Sequence, residues 1–176
     1  MANKKIGIFG SAFNPPTKGH ASVITRAAQN FDEVWIVPNA NHAFGKVMLP
    51  LAQRAEMVGA LIEDLSVENV VLVNCEEGVS DGVVYTIDLL DYLKGKFVDH
   101  DFTFLCGQDN IDDLHKFHRH EEILERHAVA GFEVVDDVRS TYIRESIAAN
   151  TDLWRQMVTP SVEAIITKTI THSKMY

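Results

Sequence analysis

Lys5-Ile6-Gly7-Ile8-Phe9 runs directly into Gly10-Ser11-Ala12-Phe13-Asn14-Pro15-Pro16-Thr17-Lys18-Gly19-His20, and then into a helical stripe of Val23, Ile24, Ala27, Ala28 and Phe31. A short apolar run that does not alternate with polar residues is the pattern of a strand covered on both faces, and the stripe has helical period. The same kind of run recurs at Glu33–Val37, Val70–Asn74, Phe102–Cys106 and Ala128–Phe132. Between the runs lie further helical segments, one carrying Leu51, Ala55, Val58, Ile62 and Leu65 on one stripe and another spanning Val83–Leu93. Thr159-Pro160 opens a C-terminal helix, with Thr159 as N-cap and Pro160 in the first turn. Strand and helix therefore alternate. The expected fold is α/β, a Rossmann-like open parallel five-stranded sheet with helices on both faces, in one domain over 1–176. Ligands in such sheets bind beyond the carboxyl ends of the strands, which points to the residues just after Phe9, Val37, Asn74 and Cys106.

Composition narrows the function. The chain has 176 residues, 46% of them hydrophobic and 23% charged, enough for a full core without disulfide or metal staples. Its net charge of −9 is the wrong sign for a duplex-binding protein, so nucleic acid is not an expected partner. A small anionic ligand remains open, because a few local cations outweigh a distant negative field. Two cysteines, Cys75 and Cys106, make no disulfide framework and fit a reducing compartment. The apolar stretch Ile6–Phe9 is too short for a secretory core, and no run reaches membrane-spanning length. The expectation is a cytoplasmic protein without a membrane partner, its state of homo-oligomerisation left open.

The loop after the first strand lacks both the dinucleotide G-x-G-x-x-G fingerprint and the G-x-x-x-x-G-K-[ST] phosphate loop. Gly10 allows a tight exit from the strand, Pro15-Pro16 stiffens the turn, and Gly19 leaves room for close backbone approach. His20 then falls in the first helical turn, where free N–H groups and the dipole favour an anion. Read on position alone, His20 could equally be a polar cap.

Thr17-Lys18-Gly19-His20, preceded by Gly10-Ser11-Ala12-Phe13-Asn14-Pro15, resembles the [H/T]-x-G-H signature of the nucleotidylyltransferase superfamily. A second signature of that superfamily, [I/V]-S-S-T-x-I-R, is similar to Val138-Arg139-Ser140-Thr141-Tyr142-Ile143-Arg144. The resemblance implies that a phosphate oxygen attacks the α-phosphorus of a nucleoside triphosphate and expels pyrophosphate. Such an oxygen is already anionic, so positioning and electrostatic stabilisation carry the reaction. It further implies His20, Thr17 and Arg144 as catalytic groups, and ATP bound by Gly10, Ser11, Phe13, Gly19, His20, Ser140, Thr141 and Arg144. Mg²⁺ would accompany the ATP without a dedicated protein cage. Ser140 and Thr141 are also good N-caps for the helix that follows.

Much of the chain is similar to one branch, the bacterial nicotinate-nucleotide adenylyltransferases. Val34–Pro38, Lys46 and Leu51–Met57 resemble its strand, basic loop and R-x-x-M helix, and Tyr85–Leu90 its Y-T-I-D-T-L segment. Gly107-Gln108-Asp109-Asn110 resembles its G-x-D-[S/N] turn, and Phe117 stands where the branch has Trp. The implied acceptor is a pyridine mononucleotide held by Lys46, Arg54, Thr86, Gly107, Asp109 and Phe117. Asp109 and Thr86 have an alternative reading as helix caps, Phe117 as core, and Lys46 and Arg54 as solvent-facing charges.

Other readings stay open. Thr17 in place of His is the form typical of phosphopantetheine adenylyltransferases, and a nucleotide-binding sensor without turnover would keep the same fold. His115, His118, His120 and His127 beside Glu121 and Glu122 could hold a transition metal, although no structural zinc spacing is present and no metal residue is assigned.

Overall fold

The computed structural model describes residues 2–41, 48–80 and 82–172. Five strands form one sheet: β1 (Lys4–Ser11), β2 (Glu33–Pro38), β3 (Val70–Leu72), β4 (His100–Gly107) and β5 (Ala128–Phe132). Their order is β3-β2-β1-β4-β5, and every pairing is parallel. The connecting helices are α1 (Lys18–Ala27), α2 (Leu51–Leu65), α3 (Thr86–Lys96), α4 (Gln108–Asp112), α5 (His120–Arg126), α6 (Ser140–Ala148) and α7 (Pro160–His172). Strand order reverses between β1 and β4, which leaves a crevice at the carboxyl ends of those two strands.

Side chains on β1 alternate between two apolar layers. Phe9 packs with Ile24, Ile36, Met57, Leu61, Leu105, Ile143 and Val162 on one face, whereas Ile6 and Ile8 pack with Trp35, Leu90, Leu93, Phe102 and Ile123 on the other. Helices therefore cover both faces, as the unbroken apolar runs required. Gly7 has a packing role here, because a Cβ would sit 2.5 Å from Leu105 Cδ1.

The structure departs from the sequence-based expectations at the edges. β3 stops at Leu72 rather than Asn74, since its register with β2 ends at Ile36–Leu72 and the chain then enters a short 3₁₀ turn at Glu76–Gly78. β5 is an outer strand with half-buried and exposed residues, not a fully buried one. α3 starts at Thr86, three residues later than Val83, because Tyr85 is still extended. At the start of α7, Thr159 holds the expected position before Pro160, but its hydroxyl is not what caps the first turn. Asp64 of α2 takes that role, accepting from Ser161 N at 2.9 Å and Ser161 Oγ at 2.6 Å. Among the described residues no helix is long and apolar enough to cross a membrane.

Candidate active site

Two clefts open at the crevice between β1 and β4. The first, of about 480 Å³, lies between the β1–α1 loop, the start of α4 and the start of α6. The second, of about 510 Å³, runs under α3 and the segment after α4. Both volumes suit small ligands. Gly10 and Asn110 line both clefts, so the two adjoin at the end of β1.

His20 is built into the first cleft by a capping box. Thr17 is the N-cap of α1, and its Oγ1 accepts from His20 N while Thr17 N donates to His20 Nδ1 at 3.0 Å. The cap reading of His20 thus holds, and its ring still lines the cleft. An imidazole whose Nδ1 accepts a backbone N–H carries its proton on Nε2. Nε2 lies 3.2 Å from Ser11 Oγ. Beneath the ring are Phe13, with centroids 4.8 Å apart, and Phe9 at 6.1 Å. Burial pushes the imidazole pKa down from 6.5 to about 4, so at neutral pH His20 is an uncharged Nε2–H donor.

The start of α6 is fastened to the same loop. Ser140 Oγ donates to Pro15 O at 2.7 Å, Arg144 Nη1 to Asn14 O at 2.8 Å, and Thr17 Oγ1 to Val138 O at 3.0 Å. Gly19 makes this approach possible, because a Cβ there would meet Val138 O at 2.8 Å and Asp136 O at 2.9 Å. Those are backbone atoms and cannot swing aside. Gly19→Ala is expected to cost about 1–3 kcal/mol of stability and to open the first cleft, read as a lower Tm; an unchanged Tm would contradict the packing described.

Not every expected residue faces a cleft. Thr17 borders the first cleft but is fully buried with its one hydroxyl proton directed at Val138 O, so it positions His20 and α6 instead of donating to a ligand. Phe13, at a φ of 47°, turns its ring into the core beneath His20 and lines neither cleft. Arg54 is 1% exposed. Its guanidinium donates to Leu49 O at 2.8 Å, Ala12 O at 2.7 Å and Ala40 O at 3.4 Å, which leaves it holding loops and not free for a substrate phosphate. Thr141 and Arg144 bond each other at 3.2 Å and stand outside the lining of the first cleft, although Arg144 shares the His20 loop through Asn14. The N-cap position of α6 is Arg139, which makes no side-chain capping bond, so neither Ser140 nor Thr141 holds the capping position read for them.

Gly107 and Asp109 line the first cleft; Gly107, not Asp109, is the N-cap of α4. Thr86 and Phe117 line the second cleft, where Phe117 is half-buried and meets Phe104 edge-on with centroids 6.1 Å apart. Lys46 lies outside the described residues. The histidines of 115–127 disperse: His115 Nδ1 lies by Asp112 O, His118 rests on Tyr85, and His127 Nε2 meets Asp91 at 2.7 Å. No three described His, Cys, Asp or Glu side chains converge as a metal site.

Sequence reasoning missed Glu76, which lines the second cleft and accepts from Ala40 N at 2.6 Å. Burial raises its pKa from 4.5 to about 7 against that bond and the Arg54 charge. It sits after a two-sided edge strand in an irregular segment, where no periodicity marks a residue. Cys106 also lines this cleft, but burial pushes its thiol up to about 12, and it offers no thiolate nucleophile.

Against known proteins, the sequence model of the cytidylyltransferase-like family matches residues 8–149, from β1 through α6. The chain belongs to the cytidylyltransferase-like family. A relative from Bacillus pumilus, named "probable nicotinate-nucleotide adenylyltransferase", is 32% identical over 126 residues, covering 69% of this chain and 65% of its own length. The chain thus spans just under two thirds of that relative. A crystal structure from Vibrio parahaemolyticus, named as a candidate nicotinate-nucleotide adenylyltransferase, superposes with a TM-score of 0.80 at 35% identity, over 93% of this chain and 99% of that one. A Plasmodium falciparum nicotinic acid mononucleotide adenylyltransferase gives a TM-score of 0.78 at 19% identity over 94% of this chain and 96% of that one, a likeness of fold.

Proposed function

We propose that this chain transfers the adenylyl group of ATP to nicotinate mononucleotide, or nicotinamide mononucleotide, with release of pyrophosphate, a step of NAD biosynthesis. The observation that carries the reading is the pair of clefts meeting at Gly10. One presents the neutral Nε2–H donor of His20 beside two helix starts, and the other has the apolar walls of Phe104, Phe117 and Leu89. The names of the relatives that align with it support the nicotinate branch.

In this reading the triphosphate lies along Gly10, Ser11, Gly19, His20 and Ser140, with Thr141 and Arg144 fixing the loop from behind. The pyridine ring stacks near Phe117 with its substituent toward Thr86, an offset contact worth ~0.5–1.5 kcal/mol beyond burial. Asp109 accepts from ribose hydroxyls. The phosphate oxygen of the mononucleotide attacks the α-phosphorus as the bond to pyrophosphate breaks. No protein base is needed, because that oxygen carries its charge beforehand. His20 Nε2–H donates to the α-phosphate oxygen on which charge grows. Mg²⁺ is taken to enter on the triphosphate, with phosphate and water as its ligands. A cytoplasmic setting is part of the proposal, in keeping with two free thiols.

Thr17, the residue that favoured phosphopantetheine as acceptor, is turned into the α1–α6 contact and does not discriminate between acceptors. Pyrophosphate release from ATP, measured separately with nicotinate mononucleotide, nicotinamide mononucleotide and phosphopantetheine, tests the proposal. Turnover with a pyridine mononucleotide is expected. Turnover with phosphopantetheine alone, or ATP binding with no turnover on any acceptor, would overturn it.

A further inference from the structure

We propose that Arg139 is the cation that receives the triphosphate in the first cleft, leaving the carboxylates that hold it in the free protein for phosphate oxygens. The inference rests on the reading of that cleft as the ATP site. Arg139 is the N-cap of α6, directly before Ser140, and lines the same wall. Among the described residues lining this cleft it alone is cationic at neutral pH, since His20 is uncharged. Asp109, Glu133 and Asp137 line the cleft too. Glu133 is partly offset by Arg26 Nη1 at 3.5 Å, but Asp109 and Asp137 with no cation in the lining would repel a triphosphate carrying three to four negative charges; one mobile guanidinium changes that balance.

The other arginines near the loop lie outside the lining of this cleft. Arg54 is buried against carbonyl oxygens, and Arg144 is held by Asn14 O. Arg139 is different. Its side chain is 57% exposed, and its partners are distant: Asp109 Oδ2 at 3.3 Å from Nη2 and Asp137 Oδ1 at 3.6 Å from Nε. Ion pairs that exposed and that long are weak. A phosphate offers the same planar fork two oxygens of higher charge, which is the stronger arrangement. The exchange also does something for Asp109. Once Arg139 moves to phosphate, the Asp109 carboxylate is free to accept from ribose hydroxyls, so both groups are held ready by each other and released together. The nucleotidylyltransferase signature has serine where this chain has Arg139, so the device is a property of this chain's own residues.

The test is titration calorimetry of MgATP and of inorganic tripolyphosphate on the wild-type chain, R139A and D137N at low and moderate salt. Removing a charge-assisted pair to phosphate is expected to weaken both ligands by roughly 10–100-fold in R139A, and to flatten the salt dependence. D137N is expected to bind both ligands a few-fold more tightly, since it removes a competitor for Arg139 and a repelling charge. Opposite signs from two exposed positions separate this from a folding defect. Wild-type affinity for tripolyphosphate in R139A, or weaker binding in D137N, overturns the inference while leaving the ATP site in place. A wild-type chain that binds no MgATP overturns the reading of the cleft and the inference with it.

Discussion

Replacing His20 by alanine is expected to lower kcat for adenylyl transfer by roughly 10²–10³-fold, the scale of one lost transition-state donor, with a smaller change in ATP affinity. The reasoning starts from the proton. Thr17 N donates to Nδ1 at 3.0 Å, which fixes the tautomer with Nε2–H outward. Burial over Phe9 and Phe13 keeps the ring neutral down to about pH 4. The donor is therefore present across the whole neutral range, and no acidic limb from His20 should show in kcat between about pH 5 and 8. Stability carries the opposite mark of the same shift. The unfolded imidazole takes up its proton near 6.5 and the folded one only near 4, so stability falls as pH drops through that window. H20A should lose this acid sensitivity. A mutant with near-wild-type kcat would remove His20 from the reaction.

Arg54→Ala should produce the largest loss of stability of any single substitution at the site. The guanidinium is 1% exposed and ties together Leu49 O, Ala12 O and Ala40 O, in three different segments. Ala40 N is in turn bonded to Glu76, so one residue is held through its carbonyl by Arg54 and through its N–H by Glu76. Removing one partner of such a buried arrangement costs about 3–5 kcal/mol, which for a chain of this size is a fall in Tm of roughly 6–20 °C. Arg54→Lys should recover only part of it, because an ammonium lacks the planar fork. An R54A protein melting with the wild type would contradict the arrangement. Glu76 adds a pH term of definite sign. Its folded pKa, about 7, lies above the ordinary 4.5, so it favours the folded state below the lower value, and that support is lost as pH rises through the upper one.

The sheet was legible because its central strands are buried on both faces. Apolar runs with no polar alternation gave all five strands, and β5 agreed at both ends with Ala128–Phe132. Edges were less readable. The ladder between β2 and β3 ends with Val73 N donating to Ile36 O, and local apolarity at Val73 does not encode that end. Within the site, Gly10, Gly19 and His20 line the first cleft where a strand end and a helix start put them, whereas Ser140, Thr86 and Phe117, which line the clefts as well, were singled out only by the family resemblance. Arg54 and Thr17 were found but read with the wrong orientation. Both are long-range contacts: Arg54 reaches Ala12 across the loop, and Thr17 reaches Val138 across the fold. Spacing along a sequence says which helix face carries a residue, not which distant carbonyl will be waiting there. Glu76 was invisible for the same reason, since only the fold brings Cys75–Gly78 beneath Ala40.

The central claim is that the two clefts form a single dinucleotide site joined at Gly10, with His20 facing the bond that is made. Its most direct test is a crystal structure of the chain with nicotinate adenine dinucleotide. The expected result has the pyridine ring between Thr86 and Phe117, the adenylate in the first cleft, and a phosphate oxygen about 2.7–3.2 Å from His20 Nε2. A dinucleotide bound with both phosphates remote from His20, or with its pyridine ring outside the second cleft, would contradict it.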